Sequence, residues 1–160
     1  MNLRILIIGL GGLGSVLLEL LARSSLSCRL VVGSRNRSHG IACCNLAKLG
    51  AQAQGCDPNI DFTHLDLDDP QATAKTIQSI SPDIIVCTAT RQSWWIPQQL
   101  PAPQASRFKA AGFGLWLPLH LSLPIALMRI LHSADYRGLT LIAPFPDVVN
   151  CILDRMGLSP

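Results

Sequence analysis

Gly9, Gly11 and Gly14 stand at GxGxxG spacing, directly after the apolar run Leu3-Arg4-Ile5-Leu6-Ile7-Ile8 and shortly before Val16-Leu17-Leu18-Glu19-Leu20-Leu21-Ala22. A strand, a glycine turn and a helix in that order form the arrangement that cradles the pyrophosphate of a dinucleotide. Each glycine has a separate task. Gly9 permits the tight turn out of the strand, Gly11 lets backbone approach the pyrophosphate, and Gly14 lets helix and strand pack closely. The anion rests on free backbone N–H groups at the helix start, which brings Gly12 and Leu13 into the candidate set.

The second chemical signal follows the short strand Cys28-Arg29-Leu30-Val31-Val32-Gly33, which ends at Ser34-Arg35-Asn36-Arg37. About twenty residues past the glycine turn, a site for NAD carries an Asp or Glu on the ribose 2′-hydroxyl, whereas a nearby Arg suits the 2′-phosphate of NADP. No acid is present there. Ser34 offers a hydroxyl, Arg35 a planar guanidinium that can stack on adenine and pair with phosphate, and Arg37 a second positive charge. These residues favour NADP and argue against flavin or S-adenosylmethionine, whose ribose would want an acid. A solvated basic loop is the competing reading.

Positioning these residues requires a sheet. The first run has no polar alternation and reads as a strand buried on both faces, as in parallel sheets. Ser38 is the expected cap of a second helix running to Leu49, with Gly50 as its stop. A third strand near Ile60 to Leu65 ends in Asp66-Leu67-Asp68-Asp69-Pro70. Asp68 or Asp69 is expected to cap the helix that follows, while Asp66 and Leu67 are placed to border an adenine. That helix, Gln71 to Ile80, closes at Pro82.

The fourth strand, Asp83 to Cys87, runs into Thr88-Ala89-Thr90-Arg91. Ligands of open parallel sheets lie outside the carboxyl ends of the strands, so Thr88, Ala89 and Thr90 either pass beneath the pyrophosphate and nicotinamide ribose or serve as ordinary turn residues. Of the neighbours Trp94 and Trp95, one is expected inside and one facing a partner or substrate. Phe108 to Gly114 reads as a fifth strand, Leu117 to His132 as a helix kinked at Pro124, and Leu139 to Ala143 as a sixth strand. A last helix starts at Asp147 as its cap. The alternation predicts an α/β fold: one domain over residues 1–160 with a doubly wound, mostly parallel six-stranded sheet in the order 3-2-1-4-5-6.

Composition narrows the function classes. Charged residues make up 14% of the 160 residues, well below the quarter expected of soluble domains, and mean hydropathy is +0.34, which points to apolar surface covered by a partner. A net charge of +3 with scattered bases gives no nucleic-acid footprint. The first apolar run flows into a glycine turn rather than a cleavage site, and the run Leu115 to Met128 is too short and too polar for a bilayer; both favour a cytoplasmic protein. Cys28, Cys43, Cys44, Cys56, Cys87 and Cys151 show no metal spacing with the histidines and read as apolar fillers without disulfides.

The stretches Gly9 to Gly14, Gly33-Ser34-Arg35-Asn36, Leu65-Asp66-Leu67 and Pro82-Asp83-Ile84-Ile85-Val86-Cys87-Thr88-Ala89 resemble the N-terminal NADP-binding (Rossmann) domain of saccharopine-dehydrogenase-like oxidoreductases. The resemblance covers roughly the first ninety residues. Ala111 to Pro118 and Phe145 to Asn150 look like marks of a subgroup. It implies hydride transfer on amino-acid-like substrates, and a second, substrate-binding domain following the cofactor domain, so a missing substrate domain or a homo-oligomer is expected to cover the apolar surface. No residue is assigned as proton donor, and His120 and Asn150 are expected to be structural. The alternatives are a non-catalytic NADP-binding sensor or regulatory subunit and, less compatible with Ser34-Arg35, an ATP-binding adenylyltransferase-like domain. A short-chain dehydrogenase does not fit, since Thr140 stands four residues after Tyr136 where lysine is needed.

Overall fold

Four residues in a row at the end of the first strand, Ile5 to Ile8, are almost wholly buried. The computed structural model, which describes residues 3–93, 95–144 and 147–159, shows why. Side chains alternate between the faces of a strand, and both faces of this one are covered. Leu6 and Ile8 enter a core with Ile77, Leu127 and Leu153, whereas Ile5 and Ile7 enter a second core with Leu18, Ala47 and Ala51. Two apolar layers sandwich the sheet.

The elements run β1 (Leu3–Ile8), α1 (Gly12–Ala22), β2 (Cys28–Ser34), α2 (Arg37–Gln52), β3 (Asn59–His64), α3 (Pro70–Ile80), β4 (Ile84–Cys87), α4 (Ala102–Ala111), α5 (Leu117–Ser133), β5 (Leu139–Ile142) and α6 (Val148–Arg155). Helices α1 and α2 supply one layer, and α3, α5 and α6 the other. The strands pair in the order β3-β2-β1-β4-β5, all parallel. Ile8 stands opposite both Gly33 and Cys87, so the chain leaves β1, β2 and β4 at one level of the same edge.

The sheet has five strands, not the six expected. Residues 108–114 form no strand: α4 occupies Ala102–Ala111, and a 3-10 turn follows at Phe113–Leu115. The segment has no β-branched residue, and its Ala, Gln, Arg and Lys lose little rotamer freedom in a helix. Pro101 at the N-cap and Pro103 in the first turn fit a helix start, where the missing N–H costs nothing.

Two helix ends also differ from expectation. Asn36, not Ser38, caps α2, its side chain accepting from the His39 N–H at 3.1 Å, and Ser38 donates to Asn36 at 3.0 Å. The helix passes Gly50, which lies against Arg23 just past the end of α1, and ends at Gln52. Asp69 is the cap of α3, accepting from the Ala72 N–H at 3.0 Å, with Pro70 in the first turn. Asp147 takes the N-cap position of α6, but its side chain makes no capping hydrogen bond. Helix α5 continues through Pro124, which is buried.

Trp94, Phe145 and Pro146 lie outside the described residues, and Trp95 is 44% exposed. Leu13, Val16 and Leu20, at helical spacing on α1, are more than half exposed, as are Leu46 and Leu49 on α2. Among the described residues no helix is long and apolar enough to cross a membrane. All six cysteines are free, and burial pushes the Cys87 thiol up to about 11.

Candidate functional site

The glycine turn is shaped by two close approaches. Gly9 has a φ of 97°, a region that side chains rarely adopt, and a Cβ there would lie 2.8 Å from the backbone of Ala89. A Cβ on Gly14 would lie 2.1 Å from the Gly9 carbonyl oxygen. Gly11 and Gly12 are the opposite case, with nothing within 4 Å of an added Cβ. The first pair fixes the turn against the sheet, and the second leaves backbone open to a ligand.

Three contacts hold this turn. The Gly9 N–H donates to the Gly33 carbonyl at 3.0 Å, and the Thr88 hydroxyl donates to the Gly9 carbonyl at 3.0 Å. From α2, His39 Nε2 donates to the Leu10 carbonyl at 3.1 Å, which makes Nε2 the protonated ring nitrogen. Gly11 is the N-cap of α1 and offers no side chain to its first N–H groups. Those groups carry the positive end of the helix dipole unneutralised, since the first turn of α1 holds no acid.

The cleft has a volume of ≈ 680 Å³ and opens along the carboxyl ends of the strands. Of the residues expected to bind a cofactor, Gly9, Gly11, Ser34, Arg35, Asp66, Leu67, Thr88, Ala89 and Thr90 line it. Gly12 and Leu13 begin α1 at its rim, while Gly14 is buried beneath the turn and acts through packing. Arg37 is the first residue of α2, exposed and not among the lining residues. Asn36 lines the cleft in its place.

Asp66 and Leu67 are fixed by their own loop. The Asp66 carboxylate accepts from the Asp68 N–H at 3.0 Å, and its carbonyl accepts from the buried Thr73 hydroxyl at 2.7 Å. The turn aims Asp68 across the cleft wall. Arg91 donates to it through both terminal nitrogens, Nη1 to Oδ2 at 2.6 Å and Nη2 to Oδ1. The Arg91 Nε donates to Ser122 of α5 at 3.2 Å, and its backbone N–H donates to the Leu119 carbonyl at 3.0 Å. The same Asp68 Oδ2 lies 3.7 Å from Arg35 Nη1.

Arg91 thus straps the loop after β3 to α5, and one carboxylate serves two cations. Hydrogen bonds from Arg91 hold the Asp68 carboxyl below its ordinary range; desolvation opposes the shift, and the charges of Arg91 and then Arg35 add to it. Sequence reasoning missed both Asp68 and Arg91 as site residues. The signal available was the position of each just past a strand end; their mutual pairing, 23 residues apart, needed the fold.

Past β4, Gln92 and Ile96 also border a second recess of ≈ 420 Å³ walled by Leu100, Phe108, Trp116 and Leu119. The Phe108 and Trp116 rings meet edge to face with centroids 5.5 Å apart. His120, one residue beyond this wall, is 3% exposed, and its Nδ1 has no hydrogen-bond partner. Burial lowers its pKa, so it sits neutral among apolar neighbours. Asn150 donates to the Ile142 carbonyl at 3.2 Å and secures the start of α6. Among the described residues no cluster of His, Cys, Asp or Glu could hold a metal ion.

No family model matches the chain, and no curated protein matches it in sequence. Solved structures do match. Malate dehydrogenase from Plasmodium falciparum is 16% identical with a TM-score of 0.66, the match covering 100% of this chain and 42% of that one. Lactate dehydrogenase from Eimeria maxima, solved with NADH and oxamate, is 11% identical with a TM-score of 0.64, covering 99% and 41%. A structure of the Plasmodium enzyme in complex with NADH, at 16% identity and a TM-score of 0.64, gives the same picture. The chain spans about two fifths of the length of these enzymes. At such identities the likeness is one of fold: the parallel α/β sheet between two helical layers resembles part of these dehydrogenases.

Proposed function

We propose that this chain is the cofactor-binding part of an NADP-dependent oxidoreductase. The observation that carries the reading is the pair Ser34 and Arg35, the last residue of β2 and the one after it, which have no acid beside them in the sequence and line the same cleft as the glycine turn. The turn fits a pyrophosphate: open space over Gly11 and Gly12, and a helix N-terminus with no side-chain cap. At the far end Arg35 presents a guanidinium to a 2′-phosphate, and Ser34 and Asn36 add donors beside it. When bound, the nicotinamide supplies or accepts the hydride; the chain supplies position and electrostatics.

The Thr88-Ala89-Thr90 stretch floors the cleft beside β4, where the small side chains leave room for the nicotinamide ribose. The apolar recess beyond Gln92 and Ile96 suits an apolar part of a substrate and keeps water from the reacting end. The resemblance to saccharopine-dehydrogenase-like enzymes adds an amino-acid-like substrate with hydride transfer at a carbon bearing nitrogen. No side chain described here is assigned as proton donor, so the reading places that group, with the covering of the nicotinamide, on a further domain or a second copy. Calorimetric titration of the purified chain with NADPH and with NADH at one ionic strength tests the reading. Tight binding of NADPH supports it, and binding of neither overturns it.

A further inference from the structure

Two arginines of the cleft wall, Arg35 and Arg91, share one carboxylate, that of Asp68. Asp68 is held by Arg91 through two charge-assisted hydrogen bonds, yet it stands 3.7 Å from Arg35, too far for a hydrogen bond. Arg35 is 55% exposed at its side chain and pairs with Asp68 without a hydrogen bond between them, while the three groups together carry a net charge of one positive unit. We propose that Arg91 is a positioning residue for cofactor selectivity: by holding Asp68 in two hydrogen bonds it keeps that carboxylate at ion-pair distance from Arg35, short of hydrogen-bonding it, and leaves the Arg35 donors to read the 2′-phosphate.

The inference rests on the NADP reading of the same site, and the argument is one of competition. A carboxylate released from Arg91 seeks the nearest guanidinium, which is Arg35, and a fork-to-fork pair would occupy the donors that a phosphate needs. The cluster would also fall from one positive unit to none. Ser122 and the Leu119 carbonyl fix Arg91 from α5, so its aim at Asp68 is built by the fold and does not depend on a ligand. Arg91 touches no 2′-phosphate in this account. Its effect passes through Asp68.

Four proteins test it: the unaltered chain, Arg91→Gln, Asp68→Asn, and the double variant, each titrated with NADPH and NADH, with thermal melts confirming that they fold. Arg91→Gln is expected to weaken NADPH binding about fivefold, the range of a partly exposed ion pair, with NADH changed less than about twofold. Asp68→Asn is expected to leave NADPH binding as tight or tighter. The double variant is expected to recover the NADPH preference, which a structural defect at Arg91 would not allow. Equal losses of both cofactors in Arg91→Gln would make Arg91 a ligand of the shared pyrophosphate and overturn the proposal. So would a double variant no better than Arg91→Gln. If the unaltered chain binds neither cofactor, the functional reading fails and this inference falls with it.

Discussion

His39 Nε2 donates to the carbonyl oxygen of Leu10 at 3.1 Å, and through that bond the second helix holds the glycine turn. The turn is therefore gripped from both sides: by Thr88 after β4 and by His39 in the first turn of α2. His39→Ala removes one part-buried hydrogen bond, and the expected loss in unfolding free energy is about 1 kcal/mol. The affinity for dinucleotide should fall more than that loss suggests, because the freed turn must be ordered again on binding. Chemical denaturation and calorimetry on the same variant read the two effects.

The glycines should separate into two classes. Gly14→Ala places a Cβ 2.1 Å from the Gly9 carbonyl, and Gly9→Ala combines a clash at 2.8 Å with a φ of 97°. Each is expected to destabilise by about 1–3 kcal/mol. Gly11→Ala and Gly12→Ala meet no neighbour, so the fold should tolerate them while a pyrophosphate does not. Melting temperatures and NADPH titrations of the four variants should fall into opposite patterns.

Burial of His120 has a sign in pH. Its pKa is lowered from 6.5 by desolvation, so below that value the unfolded chain takes up a proton that the folded chain refuses. Stability from this residue is present above 6.5 and is lost as pH falls towards the lowered folded value. In His120→Gln the same acid titration should be flatter. Denaturation midpoints measured on both sides of that pH provide the test, and identical slopes in the two proteins would place the acid sensitivity elsewhere.

Tyr136 titrates in the opposite direction and is the single tyrosine of the chain. Burial, assisted by the charge of Asp83, pushes its phenol from 10.0 up to about 12, and its hydroxyl has no hydrogen-bond partner. Above 10.0 the unfolded chain loses a proton that the folded chain keeps, so stability falls between 10.0 and about 12. Phenolate absorbance should show a midpoint near the upper value in the folded protein and near the lower one in denaturant.

The first ninety or so residues were legible because local pattern and global role agree there. Apolar runs marked β1, β2 and β4, the turn at Gly55 and Pro58 set off the edge strand β3, and the glycine spacing located the cleft. The fifth expected strand was misread because Phe108 and the glycines after it weighed more than the Ala, Gln and Lys around them. Helix propensity, with Pro101 and Pro103 to start it, decided the outcome. His39 was invisible because its partner is a backbone carbonyl, which no side-chain pattern announces. Asp68 was weighed only as a cap, since an acid before Pro70 suits that role; Asp69 took the cap and left Asp68 free for Arg91.

The NADP reading turns on Arg35, at the carboxyl end of β2, as the group that reads a 2′-phosphate. Reversing its charge is the most direct measurement: calorimetric titration of Arg35→Asp beside the unaltered chain, with NADPH and NADH in the same buffer. The account predicts that the unaltered chain prefers NADPH, and that Arg35→Asp loses that preference by at least about tenfold or turns towards NADH, whose ribose hydroxyls an acid can accept. Retention of the NADPH preference in Arg35→Asp would contradict it.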